Sequence, residues 1–318
     1  MLETSIAPTP AIAPVVQSCY DVLDVALAGG VHDFTDGKYV GDRNDRRAYL
    51  AAQERQAEYL LDQLQCPAQT RILDLGCGYG RILQQARQRG LKAVGITISP
   101  AQVQHCRRRG LEAYLLNYRH VLAAWENDWA HSFRGIVANG SLEHFVQVAD
   151  AASGRANAIY QEMFSICRRL LVRGARFATT AIHFSDVGQV EPRDLLLGPY
   201  AWPRHSFRYQ FAMVLQRTFG GWYPEPGQLE QCAAPYFRLD QEEDGTHDYH
   251  LTSEYWLRRL RTGIAFNPRV WRRLLGKCWA HPRATWEMLR CLVWDQSWAW
   301  QFRPPAPTRL LRQTWRAL

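Results

Sequence analysis

The sequence has no long apolar run, no paired-cysteine motif and no basic leader. Its apolar stretches fall well short of the roughly 20 residues that a membrane-spanning helix needs. The first residues, MLETSIAPTPAIAPVV, lack the basic region and apolar core of a secretory signal, and residues 1–18 are expected to form a disordered arm. The eight cysteines show neither CxxC nor zinc-type spacing with histidine. These absences favour a cytoplasmic protein with reduced thiols.

Negative charge is scarce in the last part of the chain. From Leu251 to Leu318 there are 13 Arg and Lys against three Asp and Glu, and eight of the 12 tryptophans. Arginine together with tryptophan favours peripheral contact with an anionic membrane surface or an acidic partner. The positive charge is also compatible with nucleic-acid binding, but the sequence contains no recognised nucleic-acid-binding motif. A packed helical region whose arginine stems cover apolar surface explains the composition equally well.

Strands and helices alternate from about residue 46 to residue 184. Apolar residues recur at helical spacing in Arg46–Leu64, and TRILDLGCGYGRILQQARQRG predicts a strand, a glycine turn and a helix. Further strands are predicted at KAVGITIS, EAYLLN, RGIVAN and ARFATTAIHF. This alternation predicts an α/β fold, with a mostly parallel sheet covered by helices on both faces.

The chain is expected to form one domain over residues 19–318. Residues from about 185 to 210 are rich in Pro and His and are interpreted as an insertion. From about residue 252 to residue 318, apolar and Trp positions recur at helical spacing, which predicts a mostly helical region.

Polar and glycine residues follow four successive predicted strands. They are Asp74–Gly80, Thr97–Ser99, Asn117–Tyr118 and Asn139–Glu143. Ligands of parallel sheets bind outside the carboxyl ends of the strands, near the point where the strand order reverses. These four segments are therefore predicted to converge on one crevice.

The turn DLGCGYG, residues 74–80, has glycines at positions 76, 78 and 80. Glycine lets a backbone turn tightly and approach a ligand without a Cβ between them. The spacing is GxGxG and not the GxGxxG of dinucleotide sites. Between a strand and a helix, this pattern is typical of Rossmann-like class I methyltransferases, which use S-adenosyl-L-methionine. The acid that usually follows the second strand and holds the ribose is missing, and GITISPAQ offers Thr97 and Gln102 instead.

Several motifs together resemble one family, the cyclopropane fatty acid synthases and the related mycolic-acid cyclopropane synthases and methyltransferases. The motifs are ILDLGCGYGRI, VGITISPAQ, LLNYR, IVANGSLEHF, GWYPEPGQL, DYHLTSEYW and WAWQF. They keep the family order from about Val31 to Phe302. The resemblance implies a class I methyltransferase domain with a seven-stranded sheet, whose helical region from about residue 252 caps the acceptor side.

The resemblance also implies a cofactor and a site. The cofactor is S-adenosyl-L-methionine, and the product is S-adenosyl-L-homocysteine. The residues implied in cofactor binding are Asp74, Gly76, Gly78, Thr97, Gln102, Asn117, Tyr118 and Asn139. Glu143 is the implied catalytic acid or base, with His144 and Tyr249 beside it. The family's acceptor is an alkene in a lipid acyl chain, and the cyclopropane ring closes when a bound bicarbonate takes a proton.

Two bicarbonate partners of the family are missing. FTDGKY places Gly37 where the family has a cysteine, and ATTAI places Thr180 where it has a histidine. His183 lies three residues beyond Thr180, which is the opposite face of an unbroken strand. Because a buried anion needs several donors, these losses weaken the expectation of bicarbonate binding and ring closure. Methyl transfer to a carbon, nitrogen or oxygen remains possible.

Three functions are therefore compatible with the sequence. The first is methyl transfer to a lipid-like or hydrophobic small molecule within a cyclopropane-synthase-like scaffold. The second is true cyclopropane synthesis on an acyl chain, which the overall resemblance and the Arg/Trp-rich tail favour. The third is a protein without catalysis that binds the cofactor or presents a basic surface to a partner.

Overall fold

The protein forms a seven-stranded sheet with helices around it, in a computed structural model that describes residues 22–318 except Asp24 and His32. The arm expected over residues 1–18 and the side chains of residues 125–127 lie outside this description. The strands are β1 (Arg71–Leu75), β2 (Lys92–Thr97), β3 (Glu112–Leu115), β4 (Phe133–Asn139), β5 (Leu171–Phe184), β6 (Phe237–Asp244) and β7 (Thr308–Ala317).

The sheet is mostly parallel, with the strand order β3-β2-β1-β4-β5-β7-β6. Strands β1 to β5 run parallel to their neighbours, whereas β7 lies antiparallel between β5 and β6. This arrangement confirms the predicted α/β fold and its seven-stranded sheet. The strand order reverses between β1 and β4, so a crevice opens at the carboxyl ends of these two strands.

Helices cover both faces of the sheet. The α-helices are α1 (Arg46–Leu64), α2 (Arg81–Gln88), α3 (Pro100–Arg108), α4 (Val121–Trp129), α5 (Val148–Ala152), α6 (Ala156–Leu170), α7 (Pro192–Leu196), α8 (Phe207–Ala212), α9 (Gln228–Ala233), α10 (Thr246–Phe266), α11 (Pro268–Ala280), α12 (Pro282–Leu289) and α13 (Ser297–Trp300). Met213–Thr218 and Arg290–Trp294 are π-helical. Within the described residues, no helix combines the length and the apolar character required to cross a bilayer.

Both faces of the sheet are closely packed. On one face, a Cβ at Gly135 would lie 2.8 Å from Leu64 Cδ1, so the small residue lets α1 approach β4. On the other face, the Phe164 ring of α6 packs edge-on against Phe177 at 6.2 Å and Trp315 at 5.4 Å between ring centroids. The rigid sheet between these two layers positions the loops at its carboxyl edge.

The end of the chain departs from the predicted helical region. Helices α10 to α13 extend only to Trp300, and Thr308–Ala317 forms the inner strand β7. The stretch TRLLRQTWRA hides the alternation of a strand because Arg312 is buried there among carboxylates. The expectation that residues up to 318 are mostly helical is therefore corrected at β7.

Candidate active site

The glycine turn after β1 is fixed against the ends of β2 and β4. Gly76 has a φ of +92°, and a Cβ added there would lie 2.6 Å from Ser141 Cβ. The Ser141 hydroxyl donates to the Leu75 carbonyl at 2.7 Å. The amides of Gly76 and Cys77 both donate to the Ile96 carbonyl at 3.0 Å. The loops that follow β1 and β4 therefore meet, as their positions in the sequence predicted.

Gly78 borders open space in the same turn. Its φ is +51°, and an added Cβ would meet no described atom within 4 Å. At Gly80, by contrast, the added Cβ would lie 2.9 Å from Cys106 Sγ. The backbone at Gly78 is thus the part of the turn that a ligand can approach most closely.

Three polar atoms around the crevice are buried without a hydrogen-bond partner in the described part of the chain. They are Asp74 Oδ2, Asn139 Nδ2 and the Tyr118 hydroxyl, whose ring stacks on Phe145 with 4.3 Å between centroids. Burial raises the pKa of Asp74 well above its usual range. Unpaired buried polar atoms are costly, so these atoms fit the donors and acceptors of a polar ligand. S-adenosyl-L-methionine has such groups in its amino acid part, ribose and adenine.

Other predicted cofactor residues have partners within the protein. The Thr97 hydroxyl at the end of β2 donates to Gln102 Oε1 at 2.6 Å, so these two side chains lie together where the usual ribose-binding acid is missing. Asn117 Oδ1 accepts from the amide of Arg119 at 3.1 Å and caps the 3-10 turn that follows β3. The side-chain carbonyl of Asn117 therefore stabilises the 3-10 turn.

Glu143 lies in the 3-10 turn Leu142–His144 after β4 and is only 4% exposed. Its Oε1 accepts from the amide of Ile182 at 2.7 Å, whereas Oε2 is buried without a partner among the residues described. Burial raises the pKa of Glu143 to about 7, and the nearby Asp36 carboxyl adds to the rise. A carboxyl with a pKa near neutrality can change its protonation state at physiological pH, as a general acid or base must.

The segment from Gly220 to Trp222 holds the backbone of this turn. A Cβ at Gly221, which has a φ of +95°, would lie 2.0 Å from the Glu143 carbonyl oxygen, and the Trp222 amide donates to that oxygen at 2.9 Å. Burial lowers the pKa of His144 to about 4, and its ring is hydrogen-bonded to the backbone of Gly220. Its neutral ring at pH 7 therefore helps to join the two segments.

Sequence reasoning missed two buried residues, Asp36, whose carboxyl acts on Glu143, and Arg312, which contacts Asp36. Arg312 Nη2 donates to the Gly37 carbonyl at 2.9 Å and lies 3.4 Å from Asp36 Oδ2. Burial raises the pKa of Asp36 to about 7 although Arg312 opposes the rise. The two residues are 276 positions apart. The only sequence signal was the place of Asp36 directly before Gly37 in FTDGKY.

The positions expected to hold bicarbonate contain few suitable side chains. A Cβ at Gly37 would lie 2.8 Å from the Ala52 Cβ, so a larger residue does not fit there. The Thr180 hydroxyl accepts from Gln56 Nε2 at 3.1 Å. Strand β5 continues past His183, which therefore faces the side opposite to Thr180. Burial lowers the pKa of His183 to about 3, so this ring supplies no positive charge at neutral pH.

Tyr249 lies on α10 within a group of aromatic side chains. Its ring centroid is 4.3 Å from that of Phe302 and 6.0 Å from that of Trp298. The Trp298 ring is tilted by 39° against that of Phe219 with 4.1 Å between centroids, and Phe219 directly precedes the segment that holds Glu143. These contacts connect Tyr249 to the segment that holds Glu143, and the four rings of Phe219, Tyr249, Trp298 and Phe302 are named the aromatic wall below.

We expect Gly78→Ala to lower cofactor affinity by at least about tenfold, because the added methyl enters the space beside the turn. The left-handed backbone costs an alanine roughly 1–2 kcal/mol of folding stability wherever it occurs. Gly154→Ala is the matched control, because Gly154 has a φ of +74°, open space around it and a place at the end of α5. Calorimetric titration with S-adenosyl-L-homocysteine should separate the two variants. Equal affinities would show that Gly78 does not border the cofactor.

Comparison with known proteins points to one family. The sequence profile of the family described as mycolic acid cyclopropane synthetase matches residues 42–267. Cyclopropane mycolic acid synthase 1 of Mycobacterium tuberculosis is 23% identical over 188 residues, which are 58% of this chain and 60% of that protein. The cyclopropane-fatty-acyl-phospholipid synthase of Escherichia coli is 26% identical over 214 residues, which are 66% of this chain and 47% of that protein. The chain thus spans about half to three fifths of these relatives.

Solved structures share the fold along nearly the whole chain. The cyclopropane synthase MmaA2 from Mycobacterium tuberculosis superposes with a TM-score of 0.73 at 16% identity, covering 98% of this chain and 100% of that one. Mycolic acid cyclopropane synthase CmaA1, complexed with SAH and CTAB, gives a TM-score of 0.71 at 18% identity and the same coverage. At these identities the likeness establishes the fold.

Proposed function

Because the chain belongs to the mycolic acid cyclopropane synthetase family, we propose that it is an S-adenosyl-L-methionine-dependent methyltransferase acting on a hydrophobic, lipid-like acceptor. The position of Glu143 carries this proposal. This buried carboxyl, whose pKa is about 7, lies two residues after Ser141, which packs on the glycine turn. The aromatic wall around Tyr249 is linked to the Glu143 turn through Phe219, which directly precedes the segment Gly220–Trp222. A methyl donor, a proton acceptor and an apolar acceptor would then share one edge of the sheet.

The residues of the crevice would hold the cofactor. They are Asp74, Gly76, Gly78, Thr97, Gln102, Asn117, Tyr118 and Asn139. When bound, S-adenosyl-L-methionine supplies an electrophilic sulfonium methyl. Such a methyl is reactive enough that the protein mainly needs to align the acceptor and exclude water. The unpaired atoms of Asp74, Tyr118 and Asn139 support this assignment, because each lacks a partner within the described chain.

Glu143 would take the proton that the acceptor loses. The bound cofactor would supply the methyl carbon to the acceptor atom, and the electron pair of the broken carbon–sulfur bond would stay on sulfur. The displaced proton passes to Glu143 Oε2, while Oε1 keeps the bond from the Ile182 amide. Tyr249 would position the acceptor, and the neutral His144 would hold the turn in place.

Bicarbonate does not fit this site. Position 37 has no space for a side chain, Thr180 is bonded to Gln56, and the Ile182 amide is already taken by Glu143. Asp36 adds a second buried carboxyl whose charge would repel another anion. We therefore assign proton removal to the carboxyls of the protein itself.

The aromatic wall favours an apolar acceptor. Tyr249, Trp298 and Phe302 pack on one another in one buried cluster, and an acceptor bound beside this cluster would meet apolar rings, which suits a hydrocarbon chain better than a polar metabolite. We further propose that residues 19–318 act as one domain. The segment from about 185 to 210 would be an insertion, and the helices from about 252 to Trp300 the acceptor-side cap.

Transfer from S-adenosyl-L-methionine with a trideuterated methyl group tests the reaction. We expect lipid extracts or hydrophobic small molecules to gain a methyl that keeps all three deuterons. Loss of one deuteron in the product would instead indicate that the cation formed on an alkene closes to a ring. Calorimetry with the cofactor is the companion measurement. Cofactor binding without turnover on any acceptor would favour a protein without catalysis, and no binding at all would overturn the proposal.

The turnover rate should rise with pH through an apparent pKa near 7. Glu143 must lose its proton to act as a base, and its raised pKa places that loss near neutrality. Asp36→Asn should move this inflection to lower pH, by about one unit or less, because a nearby like charge raises the pKa of Glu143. The measurement is kcat/KM against pH for both proteins. An Asp36→Asn profile shifted to higher pH would contradict the assignment.

A further inference from the structure

Helix α11, Pro268–Ala280, carries a row of exposed apolar residues. Trp271, Leu275 and Trp279 follow one another four residues apart, so they lie on the same side of the helix. They are 45%, 63% and 92% exposed, and Phe266, at the end of α10, is 83% exposed. Trp271, Leu275 and Trp279 are named the α11 apolar stripe below.

Packing of α11 on the protein does not account for the stripe. The helix is anchored by Val270 and Leu274, which are buried against Val25. Compared with these two positions, the stripe residues are on a different side of the helix, which leaves them in solvent. Monomeric proteins seldom expose large contiguous apolar groups, and those that do generally use them to bind another surface.

The charged residues of the segment that carries the stripe are all of one sign. The 32 residues from Tyr255 to Trp286 include seven arginines and one lysine but no aspartate or glutamate. Arg269, Arg272 and Arg273 are exposed on α11 itself. A partner that covers this face must therefore accept both indole rings and a dense positive charge.

We propose that the α11 apolar stripe and its arginines dock the protein on an anionic lipid bilayer. Indole rings favour the boundary between head groups and acyl chains, and Leu275 and Phe266 can enter the apolar side of that boundary. The arginines at the same level meet anionic head groups, each strengthening binding by about fivefold. Nucleic acid would use the charge and could stack on the tryptophans, but it would leave Leu275 without an apolar contact.

The docking surface goes beyond the proposed methyl transfer and does not depend on it. Helices α11 and α12 follow α10, which carries Tyr249 of the aromatic wall. Docking would therefore hold the helical region against the lipid phase from which a hydrophobic acceptor comes. Glu143→Gln, which removes only the proposed base, should bind vesicles as the unaltered protein does.

Vesicle sedimentation with the full chain tests the proposal. We expect binding to vesicles of phosphatidylglycerol and phosphatidylcholine, little binding to phosphatidylcholine alone, and release at high salt. Arg269→Glu with Arg272→Glu should lower the partition coefficient at least about 25-fold. The matched control is Arg108→Glu with Arg134→Glu, which makes the same charge change at two exposed positions elsewhere and should bind severalfold tighter than the stripe variant.

A second pair of variants tests the apolar part. Trp271→Ser with Trp279→Ser should lower binding at least tenfold, whereas Val40→Ser with Leu197→Ser should leave it unchanged, since both of these are exposed and lie outside the stripe. Thermal melts should show that all four proteins fold. Quenching of tryptophan fluorescence by brominated lipid should fall in the Trp271/Trp279 variant.

Four results would overturn the proposal. They are equal binding to neutral and anionic vesicles, no difference between stripe variants and controls, a lipid-free dimer that the tryptophan variant dissociates, and a DNA complex that this variant weakens as much as it weakens vesicle binding. The last two would assign the stripe to a second copy of the chain or to nucleic acid.

Discussion

Glu143→Gln is expected to reduce turnover by about 10²- to 10⁴-fold, the usual contribution of a general base. The amide keeps the size of the carboxyl, and its oxygen can still accept from the Ile182 amide at the end of β5. Cofactor affinity should therefore change by less than about threefold. The measurements are single-turnover rates with saturating cofactor and calorimetric titration of the same preparation.

The same substitution should change how stability depends on pH. The folded-state pKa of Glu143, about 7, lies above the ordinary value of 4.5, so the folded protein binds more protons than the unfolded chain between these values. Stability is therefore lost as pH rises through this window, by about 3 kcal/mol in total. Glu143→Gln removes this loss, so the stability of the variant relative to the unaltered protein should rise by about that amount between pH 4 and pH 8.

Glu287→Gln provides the control for the loss of turnover. Glu287 is also 4% exposed, but it accepts a hydrogen bond from the Tyr200 hydroxyl and lies on α12. This variant should keep its turnover within about twofold. If Glu143→Gln retained the full rate while Glu287→Gln lost it, the catalytic assignment of Glu143 would be wrong.

Arg312→Met should destabilise the fold by about 3–5 kcal/mol, because it leaves the buried Asp36 and the partly buried Asp248 without their cation. Arg312 is 1% exposed, and its Nη1 lies 2.8 Å from Asp248 Oδ2 while its Nε donates to Gln56 Oε1 at 2.7 Å. Its loss would leave Asp36 without its cation while the nearby Asp248 charge still raises the cost of charging Asp36. A fall in the melting temperature on the order of 10 °C should result.

Two further variants distinguish the effect of losing the buried charge from the effect of changing any residue on strand β7. Arg309→Met changes an exposed arginine on the same strand β7 and should alter stability by less than about 0.5 kcal/mol. Arg312→Met combined with Asp36→Asn should recover part of the lost stability, because it removes one of the unpaired acids. A melting temperature for Arg312→Met equal to that of Arg309→Met would show that the ion pairs add nothing.

Local sequence patterns were sufficient to predict the first five strands and the glycine turn. The alternation of strand and helix between residues 46 and 184 predicted the parallel part of the sheet, and the GxGxG spacing predicted where its crevice opens. Both signals depend on neighbours within a few residues, which is the range over which backbone preferences and side-chain periodicity act. The sequence pattern did not predict strand β7, because its buried arginine interrupts the alternation of apolar and polar residues.

The composition of the tail was visible in the sequence, but its arrangement was not. The eight tryptophans and 13 basic residues from Leu251 onward could equally have formed a packed core or a surface. Only the packing of Val270 and Leu274 against Val25 decided which side of α11 faces solvent. The exposure of Trp279 follows from that choice.

The sequence by itself thus determined the parallel part of the sheet, β1 to β5, the turn beside the crevice and the residues that follow these strands. Tertiary structure alone decided the electrostatics of the site. It placed Asp36 and Arg312, 276 positions apart, next to each other, and it buried Glu143 so that its pKa rises to about 7. The physical reason is that a pKa depends on desolvation and on charges nearby in space, which no local pattern of residues records.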